Sequence, residues 1–154
     1  MLSTSTEYKN AITESRIFHA TAEITLADHT TLYVYNAQIS ENGVKIEDGV
    51  SQRGRFTIGS AIIGQLTLTL NNSDGQFDKY DFTGAIIRPS IGLALPGRVE
   101  MLRKGIYTVD EPKFIGSSII LTALDIMHKF DTPFNKVNII VPTTTLNILQ
   151  AVCN

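Results

Sequence analysis

The sequence has one cysteine, Cys153, and no tryptophan in 154 residues. A lone cysteine cannot close an intrachain disulfide, so nothing marks a disulfide-stapled secreted domain. Charge is scarce as well. Lys and Arg number 13 against 15 Asp and Glu, 18% of the chain together, and the formal net charge is −2. Nucleic-acid binding leans on a basic surface that neutralises phosphates. The one adjacent basic pair, Arg103 and Lys104, is too short to make such a surface. The same shortage disfavours a basic amphipathic helix lying on a membrane. No apolar run approaches the length of a spanning helix, and Met1 to Asn10 is polar, without a hydrophobic signal core. The expectation is synthesis in the cytoplasm with no export signal, and neither nucleic acid nor membrane as partner. Disorder is excluded by the 43% hydrophobic fraction.

What is present is alternation. Phe18, Ala20, Ala22, Ile24 and Leu26 alternate with His19, Thr21, Glu23 and Thr25, the period of a strand with one buried face. Asp28-His29 suits a tight turn, and Leu32 to Tyr35 suits a return strand, so Phe18 to Tyr35 reads as a hairpin. Asn42-Gly43, between Ile39 and Val44, reads as a second hairpin turn. Phe56 to Ile58 is a brief strand, and Leu66, Leu68 and Leu70 alternate with polar neighbours in a clearer one. Asn71 to Gly75 is a turn cluster, followed by a structured loop from Phe77 to Phe82. Ala85 to Leu95 is apolar but contains Pro89, which cannot donate to a ladder, so this strand is expected at an edge, bulged or bent. Val99 to Val109 and Ser117 to Ala123 complete the strands.

Helix is sparse. Thr4 to Ser15 reads as a short helix capped by Ser5, Leu124 to Phe130 as one or two helical turns, and Thr143 to Asn154 as a threonine-capped helix with no stop signal. The order points to a mainly β fold, an antiparallel β-barrel or sandwich with a short N-terminal helix and short C-terminal helices. Residues 1–131 are expected to form this β-rich domain, and residues 132–154 the start of a following segment that is cut short.

Residues able to carry chemistry are present but scattered. His19, His29 and His128 are far apart, and no His or Cys spacing suits a metal. Cys153 lies away from the helix N-terminus that would lower a thiol pKa, so packing explains it better than catalysis. Asn71 to Asp78 resembles a calcium loop but lacks the closing glutamate, and turn chemistry accounts for it. Asp110-Glu111 before Pro112, and Asp78 and Asp81 around Tyr80, read as loop acids rather than a hydrolytic pair. Gly59 and Gly64 frame no phosphate loop, because Gln65 stands where lysine is needed. No catalytic residue, cofactor or metal is expected. Phe77, Tyr80 and Phe82, aromatics set in a polar loop, are the candidate interface residues, with a lid on the barrel end as the alternative.

Several runs resemble a known family: Phe56 to Asn72 (FTIGSAIIGQLTLTLNN), Tyr80 to Ala85 (YDFTGA), Lys104 to Pro112 (KGIYTVDEP) and Leu121 to Asp131 (LTALDIMHKFD). They are similar to the N-terminal part of tail-hub or baseplate proteins of phages and prophages of Gram-positive bacteria. The resemblance spans most of the chain, from Tyr8 to Cys153, on structural strings without a catalytic signature. It implies β-barrel domains and a place in the virion tail. It also implies a ring, commonly a trimer, that contacts the distal tail protein, the tape measure and the fibre or spike. A carbohydrate-binding module for cell-wall glycans is the alternative, with Tyr33, Tyr35, Tyr80 and Phe82 as stacking candidates. A hydrolase with scattered carboxylates is the third reading.

Overall fold

The computed structural model describes residues 4–14, 16–48, 63–130 and 144. The expected strand at Phe56 to Ile58, the expected helix at Thr143 to Asn154, Gly59 and Cys153 lie outside the described residues. A short helix, α1 (Thr6–Ala11), precedes eight strands: β1 (Phe18–Thr25), β2 (Thr31–Val34), β3 (Ile39–Asp48), β4 (Gly64–Asn71), β5 (Ile86–Leu95), β6 (Arg98–Arg103), β7 (Tyr107–Ile115) and β8 (Ser118–Asp125). Single 3-10 turns lie at Asn36–Gln38 and Ile126–Phe130.

All eight strands belong to one antiparallel sheet in the order β2-β1-β5-β7-β8-β4-β3, with β6 branching from β5. The sheet curls so that alternate side chains of seven strands meet in a single core. Leu66, Leu68 and Leu70 of β4 are fully buried, and Ile119, Leu121 and Ala123 of the neighbouring β8 join them. Ile24 and Ile87 close the core from β1 and β5. The order does not close into a ring. The 3-10 turn at Asn36–Gln38 straps β1 to β3 across the remaining seam. The architecture is thus an open, curled antiparallel sheet, in keeping with the mainly β expectation.

Local chemistry explains most of the turns. The β1–β2 hairpin turns at Asp28-His29, where His29 takes φ 66° and Asp28 Oδ1 accepts from the Thr30 amide at 2.8 Å. Pro89 is not at a sheet edge. It pairs with Ala22 of β1 on one side. On its other side β5 meets β7 only at Ile86 and Ile87, and β6 only from Ser90 to Leu95. The missing N–H of Pro89 falls between these two ladders, and its carbonyl accepts from the Lys104 amide at 2.9 Å. The strand is therefore forked where the proline stands.

Two expectations are corrected. Asn42-Gly43 is no hairpin turn but part of a bulge inside β3. Ile39 pairs with Leu70 and Val44 with Leu68, so residues 40–43 stand opposite Thr69 alone. Asn42 takes φ 54°, and a Cβ on Gly43 would come within 2.7 Å of the Ser40 and Thr69 carbonyl oxygens. Asp110, Glu111 and Pro112 lie in β7 and not in a loop. Asp110 is the extra residue of a bulge between Val109 and Glu111. One inserted residue reverses the alternation, so Tyr107 and Val109 face the core before it, and Pro112 and Phe114 pair with Leu121 and Ile119 after it.

Helix α1 has six residues, too few to be stable alone. Tertiary contacts hold it. Tyr8 packs with Leu93 and Leu95 in a second small core, beside Ala11 and Leu102. The Ser5 hydroxyl accepts from the Tyr8 amide at 3.0 Å and donates to Glu100 at 2.6 Å. The Ser5 amide donates to the same carboxylate at 2.9 Å. Arg98 bridges to Glu7 at 2.7 Å. The hydroxyl and then the amide of Ser5 hold the Glu100 carboxyl below its ordinary value, with a smaller contribution from Arg98 and against some desolvation.

Leu68→Ala is expected to destabilise the domain by about 2–5 kcal/mol, the range for a large-to-small core truncation. Thermal or denaturant unfolding measures it, and a loss below about 1 kcal/mol would contradict a close-packed centre at β4. For α1 the sign follows from a depressed folded pKa. The Glu100 contribution is complete above the ordinary glutamate value of about 4.3 and is lost as the pH falls through the lower folded value. The Ser5 and Tyr8 amides should therefore lose protection, measured against the intrinsic exchange rate at each pH, below about pH 4 while β4 amides stay protected. Glu100→Gln should abolish that acid-side change.

Candidate functional site

The three histidines lie in separate elements of the fold. His19 is on the outer face of β1, His29 is at the exposed β1–β2 turn, and His128 is in the final 3-10 turn, its Nδ1 2.5 Å from the Asp125 carbonyl oxygen. Among the described residues no three His, Cys, Asp or Glu side chains gather where a metal ion could be held. No described helix is long and apolar enough to cross a membrane.

The loop from Asn72 to Phe82 is built by its own side chains. Asn72 is buried, and its amide group donates to Asp78 Oδ1 at 2.6 Å while accepting from the Phe77 amide at 2.9 Å. Asn71 and Asp74 accept from the amides of Ser73 and Gln76, each two residues on. Asp81 does the same for Thr83, and that bond lowers the Asp81 pKa. The stretch that resembled a calcium loop thus uses these oxygens to hold its own backbone. Its aromatic residues turn inward. Phe77 is 4% exposed and Phe82 0%, and both join the main core, with Tyr80 half-buried beside them. Phe82 meets Phe77 and Tyr80 edge-on, each at 6.4 Å between centroids. Phe77 and Phe82 are thus buried in the core of this chain, with Tyr80 packed against it.

The surfaces that are available lie elsewhere. On the outer face of the β2-β1-β5-β6 region, Tyr33 and Tyr35 are 62% and 60% exposed. They flank a depression of about 190 Å³ lined also by Thr21, Glu23, Arg88, Ser90 and Arg103. Arg88 faces Glu23 across the ladder and bonds it at 3.2 Å, and Thr25 Oγ1 at the same distance. Of the four aromatics that a stacking site would use, only these two share an exposed face.

A larger groove of about 540 Å³ follows the seam between β1 and β3. Phe18, Ala20, Ile39, Val44 and Ile91 give it an apolar lining, and Asn36, Ser40, Glu41 and Asn42 form its rim. Sequence reading missed it because it depends on the β3 bulge, and the Asn42-Gly43 signal pointed instead to a turn. Elsewhere, Phe114 and Ile115 stand more than half exposed at the β7–β8 hairpin tip.

Asn72→Ala should cost about 1–3 kcal/mol, because it leaves the Phe77 amide and the Asp78 carboxylate without their buried partner. Faster exchange of the Phe77 amide, with β8 amides unaffected, would localise the effect. Unchanged stability would mean that the loop is held by its aromatics alone.

No protein-family model matches the sequence. No curated protein matches it. Among solved structures, the fold is similar to that of a chain described as "Virion of native gene transfer agent (GTA) particle", with a TM-score of 0.54 and 9% sequence identity. The match covers 84% of this chain and 47% of that one, so the chain spans about half the length of the protein it resembles. At this identity the likeness is one of fold.

Proposed function

We propose that this chain is a non-catalytic structural domain of a phage or prophage particle, acting through contacts with other particle proteins at the tail tip or baseplate. The observation that carries the reading is the shared fold with a chain of a gene transfer agent virion over 84% of this chain. The sequence runs that resemble tail-hub proteins point the same way, and so does the weak net charge of −2, which gives nucleic acid no electrostatic foothold. In this reading the chain assembles as a homo-oligomer, a trimer in the complete tail. Its neighbours are the distal tail protein, the tape measure and the spike or fibre. Its exposed apolar residues suit that role, since particle proteins bury such groups only on assembly. A domain of this kind needs neither cofactor nor metal.

A second reading, binding of cell-wall glycans, is favoured by one observation, the exposed pair Tyr33 and Tyr35 beside a polar depression.

Mass spectrometry of tail particles purified after prophage induction should find peptides of this chain at a few copies per particle. Its absence from intact tails would sink the particle reading. A glycan-array signal lost on Tyr33→Ala would then favour the second.

A further inference from the structure

We infer that the groove between β1 and β3 receives a single extended strand from another protein, laid along the free edge of β1 in line with β2. On one side β1 pairs with β5 over its whole length, Phe18 to Thr25. On the other side it pairs with β2 only from Ala22 to Thr25. Past Val34 the chain leaves this edge through the 3-10 turn and becomes β3. Among the described residues the edge from Phe18 to Thr21 has no strand neighbour, and it borders the groove. Its Ala20 amide donates to the Asn36 side-chain oxygen at 3.2 Å. That oxygen occupies the place where a neighbouring strand would present a carbonyl.

The chemistry of the groove selects its occupant. On this edge the main-chain groups of Phe18 and Ala20 repeat at the two-residue spacing of a strand and match another polypeptide backbone. Ala20, Ile39 and Ile91 give the floor an apolar character, which suits small apolar side chains at alternate positions of the guest. Phe18, 47% exposed at the mouth, is left for the guest to cover. Glu41 is the one carboxylate of the lining and His19 its one basic group, with no lysine or arginine, so a phosphate or other anion finds no permanent positive charge there. The groove lies between β1 and β3, which favours one strand over the edge of a formed sheet. All eight described strands of this chain already belong to its own sheet. The inference stands on the groove alone and is independent of the tail reading.

The test uses the whole chain and a library of random linear peptides of about eight residues. Selected binders should carry small apolar residues at alternate positions. Blocking with N-methyl groups the amides that face β1 should weaken binding about tenfold or more, while methylating the intervening amides should not. Bound peptide should slow exchange of the Phe18 amide, which lies on this edge two residues from Ala20. Phe18→Glu, with its melting temperature checked, should weaken binding to a similar degree. Three results would overturn the inference: no binders, binders indifferent to both the methylation pattern and Phe18→Glu, or a Phe18 amide already protected in the free chain. In the last case, concentration-dependent protection identifies a second copy as the occupant, and concentration-independent protection identifies the chain itself. Tail mass spectrometry leaves these outcomes untouched, so either idea can fail alone.

Discussion

The constraint on which the fold depends is the two-residue period of its strands, enforced against a single core. Leu66, Leu68 and Leu70 of β4 lie at 0% exposure between β3 and β8, and six other strands aim their own alternate residues at the same core. A slip of one residue in any ladder would turn a buried row outward. The two departures from regular pairing are therefore confined. The β3 bulge holds its excess between Ile39 and Val44, both still directed toward the core. The β7 bulge inserts one residue and reverses the alternation, yet Pro112 and Phe114 still pair with buried residues of β8.

Much of this was legible in the residues. The β1–β2 hairpin, β4, β8, the Ser5 cap and the turn chemistry after Asn71 follow from alternation and from short polar side chains that bond their own backbone. The signals that misled were local ones overruled by pairing. Asn42-Gly43 favours positive φ, and Asn42 does take it, but the flanking residues were long enough to rejoin β4, so the conformation served a bulge. Pro89 signalled a break in a ladder, and a break exists, but at a fork that only the three-dimensional placement of β6 and β7 reveals. Asp110 to Pro112 looked like a loop because nothing in the residues shows that a bulge restores the pairing.

The candidate sites were less legible than the fold. An aromatic residue in a polar loop is ambiguous by itself, since the same composition suits an interface anchor and a plug. Phe77 and Phe82 become a plug because Asn72 draws the loop back over the core. The groove along β1 could not be read at all. It arises from strands of unequal length and from a chain that leaves an edge early. Such surfaces are made by topology, and a linear sequence carries no period or motif for them.

The attachment of α1 has a mechanical consequence. Ser5 and Glu7 grip Glu100 and Arg98 of β6, a strand that pairs with β5 alone. A pull on the N-terminus is thus passed to the branch of the sheet rather than to its centre. That branch is joined to the rest through β5, beyond the fork at Pro89, and shares no ladder with β4 or β8 among the described residues. Load entering through α1 therefore meets β6, β5 and β1 before the ladders that hold the core.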